Sequence, residues 1–269
     1  MAKRRTKWFI AIAIFLAVAI TAACMIIVFP SKATIDVKNG DVKMIAHRGL
    51  SGLHTENTVA AFEAAAKEDY YGIETDVHVT KDGVYVLFHD GDLEDMVGLD
   101  LEIEETNYAD LKKVKLPDKG GDGEKAQYIP TFEEFLTICK EYNKRAIVEL
   151  KADFTKEQIG EIVGILETNG MKNNATFISF EEENLLYLRE VFPDAPAQYL
   201  IEDATEEELN FAIANNFDAS IQFLRVLPSK VDKIHAAGLK VGCWTVDKKW
   251  QAGLMKKYGV DYITSNILV

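Results

Sequence analysis

Glu74, Asp76 and His78 follow one another at intervals of two in the run from Gly72 to Val79. Side chains alternate across a β-strand, so this spacing puts the three on one face and Ile73, Thr75, Val77 and Val79 on the other. The two carboxylates then stand about 7 Å apart along one strand. Asp82-Gly83 reads as a two-residue hairpin turn that sends the chain back through Val84, Val86 and Phe88 to His89, beside those acids. A solvated strand face would account for a lone Glu-x-Asp. Arg145 to Lys151 repeats the pattern, however, with Glu149 and Lys151 two apart at the end of another apolar strand. Charges recurring at that spacing on otherwise buried strands point to a shared polar centre.

The elements that must position this centre alternate with little interruption. Strands fit Val42 to Ala46, Gly72 to Val79, Arg145 to Leu150, Thr176 to Phe180, Ala197 to Ile201, Ala219 to Phe223, Lys240 to Val246 and Asp261 to Thr264. Helical patterns lie between them, among them Lys156 to Asn169, Glu181 to Val191, Thr205 to Asn215, Pro228 to Ala237 and Lys248 to Tyr258. Asn57 reads as the N-cap of a helix with a small apolar face of alanines and Phe62, and Pro130 or Thr131 marks another helix start. Eight strand–helix units in roughly 225 residues predict a closed TIM (β/α)8 barrel of α/β class. Gly91 to Tyr128 is less regular and reads as a short insertion after strand 2, a lid or loop with one helix near Tyr108 to Val114. In such barrels chemistry sits where strands end, and His47, Glu74, Asp76, Glu149 and Trp244 fall near such ends.

Composition narrows the partners. The chain of 269 residues is 48% hydrophobic, enough for one large core, and its formal net charge of −13 argues against nucleic acid. An anionic substrate would bind only through cations placed locally against that field, and Arg48 and Lys151 are the candidates. Cys24, Cys139 and Cys243 show neither a disulfide framework nor metal spacing. Lys3, Arg4, Arg5 and Lys7 precede an uncharged apolar run from Trp8 to Phe29, long enough at about 1.5 Å per residue to cross a bilayer of about 30 Å. The expected organisation is a basic tail and transmembrane signal anchor over residues 1–29, a polar linker over 30–41 and the barrel over 42–269. A cytoplasmic N-terminus would put a single-pass protein in the cell membrane with its catalytic domain outside.

His47-Arg48-Gly49, Glu56-Asn57-Thr58, Glu74-x-Asp76, His89-Asp90, Glu149-x-Lys151 and Trp244-Thr245-Val246 together resemble the glycerophosphodiester phosphodiesterase family, in order and across Val42 to Asn266. The resemblance implies a TIM barrel that hydrolyses glycerophosphodiesters to an alcohol and glycerol 3-phosphate with a divalent cation. By position it implies Glu74, Asp76 and Glu149 as metal ligands, His47 and His89 as the acid/base pair, and Arg48 and Lys151 as phosphate contacts. Trp244 is a candidate wall for the glycerol or lipid moiety. Three carboxylates suit Mg²⁺ or Ca²⁺ rather than zinc. Departures from the family pattern bear on substrate choice: Asp92-Leu93-Glu94-Asp95-Met96 is acidic where an Arg-bearing segment is common, and Asp247 stands where Asn is frequent. The alternatives are a phosphatidylinositol-type phospholipase C, a lysophospholipase D, or a membrane-tethered binding module without turnover.

Overall fold

Strand β1 (Lys43–Ala46) pairs in parallel with β2 (Gly72–Val79) on one side and with the last strand, β11 (Tyr262–Ser265), on the other, so the sheet closes on itself. The computed structural model describes Thr34, Asp36, Val37 and residues 40–120 and 127–269. Between β2 and β11 the barrel runs through β6 (Arg145–Leu150), β7 (Ala175–Ser179), β8 (Ala197–Ile201), β9 (Asp218–Gln222) and β10 (Val241–Trp244), giving the eight parallel strands expected. The apolar run Trp8 to Phe29, its basic flank and Cys24 lie outside the described residues. Among the described residues no helix is long and apolar enough to cross a membrane.

The helices follow their strands where capping chemistry starts them. Thr131, Thr155 and Thr205 each form a capping box with a Glu or Gln three residues on, opening α4 (Phe132–Glu141), α5 (Lys156–Thr168) and α7 (Glu206–Ala214). Helix α1 (Val59–Ala66) starts one residue later than the sequence suggests. Thr58, not Asn57, is its N-cap, and Asn57 adopts φ 52 instead. Outward-facing strand residues such as Ile73, Val77, Ala146 and Val148 pack against the helix ring in the main core, whereas Ile45, Ile147, Ile178, Leu200 and Tyr262 fill the barrel interior. Both layers are apolar. The charged side chains of the strands, Glu74, Asp76 and Glu149, gather beyond this apolar layer, where the site lies.

The hairpin after β2 differs from the two-residue turn expected. Thr80 and Val84 flank a three-residue loop in which only Gly83, at φ 81, is left-handed, and the chain returns as β3 (Tyr85–Leu87). Asp82 is held by Thr80 rather than by the turn geometry, its Oδ1 accepting from Thr80 Oγ1 at 2.7 Å. The insertion is more structured than its composition indicates. It carries a small antiparallel pair, β4 (Asp92–Leu93) with β5 (Leu99–Glu102), and two short helices, α2 (Glu94–Val97) and α3 (Tyr108–Leu111). Its own core of Phe88, Leu93, Ile103, Leu111, Leu116 and Ile129 fastens it to the barrel through Val86.

Candidate active site

The site is built at the C-terminal ends of β1, β2 and β6. Asp76 on β2 stands directly opposite Glu149 on β6, and Glu74 lies one pleat below on the same face. One oxygen from each of the three carboxylates falls within 4.8 Å of the others. All three are buried, at 1%, 0% and 6% exposure, in a position where charge needs compensation. After β1 the chain turns sharply, Arg48 and Gly49 both left-handed at φ 54 and 74. That turn aims the Arg48 backbone N–H at Glu74 Oε2, which accepts at 2.7 Å.

Cations surround the acids. Arg48 Nε is 3.3 Å from Asp76 Oδ2 and its other arm donates to Glu56 Oε1 at 2.9 Å. Lys151 Nζ is 3.2 Å from Glu149 Oε1 and 3.8 Å from Asp76 Oδ1. Burial acts to raise the Asp76 carboxyl, but Arg48, then Lys151 and His89, together with the Asn57 hydrogen bond, hold it below its ordinary value. Glu74 is different: burial, then the charges of Asp76 and Glu149, push it well above the usual carboxylate range. Burial and Asp76 push Glu149 up to about 7. Two cations are too few for three clustered acids.

Whether a metal fits can be judged from the oxygens left over. Glu74 Oε1 and Asp76 Oδ1 are buried and accept no hydrogen bond. Such orphaned acceptors are uncommon in folded proteins unless a water or an ion completes them. Their oxygen chemistry suits a hard divalent ion, and among the described residues no other three acidic, histidine or cysteine side chains converge this way. The donor set fits.

The two histidines stand on either side. His47, just past β1, contacts Asn266 Oδ1 through Nδ1 at 2.8 Å. The Asn266 amide can present only its oxygen there, because its Nδ2 donates to Asp247 Oδ2 at 2.7 Å. His47 Nδ1 therefore carries the hydrogen and Nε2 the lone pair. Burial, then Arg48, lowers the His47 pKa below its ordinary value, with Asn266 and the acids only partly opposing. His89 follows β3 and donates from Nδ1 to Asp90 Oδ1 at 2.7 Å, while Lys151 Nζ meets its Nε2 at 3.1 Å.

A cavity of about 300 Å³ is lined by His47, Arg48, Glu74, His89, Glu149, Lys151 and Trp244. Asp76, the remaining expected residue, lies beneath them. All eight candidate residues thus meet at one end of the barrel. Trp244 is fixed by donation from Nε1 to Ser220 O at 3.0 Å and stands edge-on to Phe180, with ring centroids 5.3 Å apart. Gln198 lines the cavity too, whereas Gln222 turns away to accept from the Leu224 backbone. Sequence reasoning missed Asn57, whose Nδ2 donates to Asp76 Oδ2 at 2.7 Å, and the Asn266–Asp247 pair behind His47. His78, whose depth the strand pattern leaves open, is buried, 4% exposed, with Nε2 3.4 Å from the His89 carbonyl.

Carboxylates able to hold a cation, cations able to hold an anion and imidazoles able to move protons equip a barrel hydrolase for phosphate esters. The glycerophosphoryl diester phosphodiesterase family profile matches residues 47–267; the chain belongs to this family and is a glycerophosphodiester phosphodiesterase. A glycerophosphodiester phosphodiesterase of Caldanaerobacter subterraneus subsp. tengcongensis is 27% identical over 229 residues, covering 83% of this chain and 93% of its own. Among solved structures, an Oleispira antarctica phosphodiesterase in complex with the product sn-glycerol-3-phosphate superposes with TM-score 0.77 at 26% identity, over 87% of this chain and 96% of its own. A Parabacteroides distasonis glycerophosphodiester phosphodiesterase gives TM-score 0.69 at 27% identity, over 84% and 93%.

Proposed function

We propose that the chain hydrolyses glycerophosphodiesters to an alcohol and glycerol 3-phosphate, using a divalent cation held by Glu74, Asp76 and Glu149 and proton transfer by His47 and His89. The observation that carries this reading is the pair of buried oxygens that accept no hydrogen bond, Glu74 Oε1 and Asp76 Oδ1, within a three-carboxylate cluster. Bound there, Mg²⁺ or Ca²⁺ would supply Lewis-acid neutralisation of the phosphoryl oxygens.

The chain's own groups divide the remaining work. Arg48 and Lys151 already face the cluster and would transfer part of their pairing to the phosphate, which positions it against net negative charge. His47 is the better base. Its lone pair is on Nε2, its Nδ1–H is held by Asn266, and burial disfavours its charged form. It would take the proton of the attacking hydroxyl: water, which gives glycerol 3-phosphate directly, or the glycerol 2-hydroxyl, which gives a cyclic phosphate that water then opens to glycerol 3-phosphate. His89 is the donor to the departing alkoxide once Lys151, whose Nζ meets its Nε2 at 3.1 Å, turns to the phosphate and frees Nε2 to carry a proton, the Asp90 carboxylate balancing the charge on the ring. Trp244 and Phe180 form an apolar wall suited to the glycerol carbons.

The apolar run from Trp8 to Phe29 is proposed to anchor the chain in the cell membrane with the barrel outside. Protease digestion of intact and lysed cells checks this; a barrel protected until lysis, or found in the soluble fraction, sinks it. The activity itself is tested on the purified protein with glycerophosphoethanolamine, glycerophosphoglycerol, phosphatidylinositol and a lysophospholipid, with and without a chelator. Hydrolysis of the water-soluble diesters, abolished by chelation and restored by Mg²⁺ or Ca²⁺, is expected. Turnover unaffected by chelation, or restricted to intact phosphatidylinositol, would refute the reading.

A further inference from the structure

His89, the proton donor of the proposed reaction, has a ring that little else holds. Its Nδ1 donates to Asp90, the next residue along, so that contact travels with it. Its Nε2 meets Lys151, which leaves when it turns to the phosphate. The ring is then fixed only through its own backbone, at a point where β3 has ended at Leu87 and the insertion begins.

Two hydrogen bonds bracket that backbone, and both come from β2. On one side Phe88 N donates to Asp76 O at 3.2 Å, one step past the last paired residues, Val77 and Leu87. On the other side the ring of His78 reaches the His89 carbonyl, with Nε2 at 3.4 Å. A carbonyl only accepts, so Nε2 carries the hydrogen. Among the described residues no other hydrogen bond reaches the main chain from Phe88 to Asp90. The next one along, Ile103 N to Gly91 O at 2.8 Å, ties the chain to the insertion and not to the barrel. His78 shares a face of β2 with Glu74 and Asp76, so the strand that bears two of the clustered acids also bears the donor that holds the His89 peptide.

Packing alone does not favour an imidazole here. The residue is 4% exposed, and with Nε2 engaged its Nδ1 is left buried without a hydrogen-bond partner. An apolar side chain of similar size would avoid that penalty, but it could not donate to His89. Resting on the phosphodiesterase reading, we propose that His78 is a positioning residue for the acid step. By holding the His89 carbonyl to β2, it keeps His89 Nε2 aimed at the oxygen of the departing alcohol while Lys151 is engaged with the phosphate. The role asks for a hydrogen-bond donor and for no change of protonation at His78.

The test uses the full chain and two diesters of glycerol 3-phosphate. One is glycerophosphoglycerol, whose alkoxide must be protonated as it leaves; the other is the p-nitrophenyl ester, whose nitrophenolate departs without a proton. The ratio of kcat on the first to kcat on the second reads the acid step, and unfolded protein lowers both rates alike without moving it. His78→Leu should lower this ratio at least about tenfold, since a displacement of about 1 Å at a reacting group is enough for that. KM for glycerophosphoglycerol should change by less than about twofold, the lost interaction serving the transition state alone. His78→Gln, whose amide N–H can stand near the place of Nε2, should recover most of the ratio. A wild-type ratio in His78→Leu, whatever its melting temperature, or a glutamine variant no better than leucine overturns the positioning role and leaves the phosphodiesterase reading standing. His89→Ala is measured alongside: if it leaves the ratio unchanged, His89 is not the acid, and the assigned mechanism falls together with the proposal. A wild type inactive on both diesters with added cation overturns the phosphodiesterase reading itself.

Discussion

Asn57 clamps Asp76 from two directions. Its Nδ2 donates to Asp76 Oδ2 at 2.7 Å, while its Oδ1 accepts from Thr75 Oγ1 at 2.9 Å and from the Asp76 backbone at 3.4 Å. The left-handed backbone at Asn57 makes this reach possible, and asparagine tolerates that conformation better than most residues. The clamp leaves Asp76 Oδ1 facing the cluster. Asn57→Ala should therefore weaken the cation by about 10–100-fold, read as a higher concentration for half-maximal activity. Activity at saturating cation should recover in part. An unchanged half-saturation point would show that the clamp is structural only.

A second amide works on His47. Asp247 receives three donors, Ser265 Oγ at 3.0 Å, Asn266 N at 2.8 Å and Asn266 Nδ2 at 2.7 Å, and so prevents the Asn266 side chain from flipping. The His47 tautomer is the consequence. Asp247→Ala should lower kcat roughly tenfold with KM little changed, since the base would spend more time with Nε2 protonated. Asp247→Asn retains an oxygen acceptor and should fall between.

The pH profile carries the sign of the His47 environment. Burial and Arg48 both disfavour the imidazolium, so the base stays ready to lower pH than a free imidazole. Below that lowered pKa the ring is protonated and cannot accept; raising pH through it restores the base. The acid limb of kcat/KM should fall below pH 6.5, the ordinary histidine value, and be absent from the small residual activity of His47→Ala. A limb at or above that value would contradict the assignment.

What could be read from sequence divides by range. Glu74, Asp76, Glu149 and Lys151 were legible because strand periodicity is local and a parallel barrel brings strand ends together whatever the loops do. Pro130 and Thr131 announced their helix for the same reason, Thr131 being its N-cap. Asn57 looks like a cap in the sequence because asparagine suits an N-cap as well as a left-handed position, and its partner Asp76 is 19 positions away. The His47–Asn266 contact spans 219 positions, across the closure of the barrel, and no local pattern encodes it. The fold of the insertion is hidden because its core is assembled from single apolar residues spaced among charges, Leu93, Ile103, Leu111 and Leu116, rather than from a periodic run. The burial of His78 is not legible because the strand pattern gives a face and not a depth.

The acid cluster sets function against stability. Burial and like charge push Glu149 up to about 7, so the cluster is strained until a cation joins it. Glu149→Gln keeps the volume and removes one charge. Without metal its melting temperature should equal or exceed that of the wild type, while kcat falls at least about a hundredfold. Added cation at about 100 times its Kd should stabilise the wild type by about 2.7 kcal/mol and the variant by much less. Equal stabilisation of both proteins would place the ion elsewhere.

Gly49 shows why the loop after β1 has the sequence it has. At φ 74 it is left-handed, and a Cβ there would stand 2.6 Å from the backbone carbon of Ala61 in α1. Backbone hydrogen bonds fix that close approach, Gly49 N donating to Glu74 O at 3.3 Å and Leu50 N to Ala61 O at 3.0 Å. A side chain cannot be relieved by a rotamer change when its obstacle is main chain. Gly49→Ala should cost at least about 2 kcal/mol, from strained φ and the displaced helix, measured by denaturant unfolding. The loss of activity should exceed the unfolded fraction, because moving this loop carries His47 and the Arg48 N–H away from the acids they serve. If the variant retained full activity at the reduced stability, the loop would be a structural link that merely happens to bear the catalytic pair.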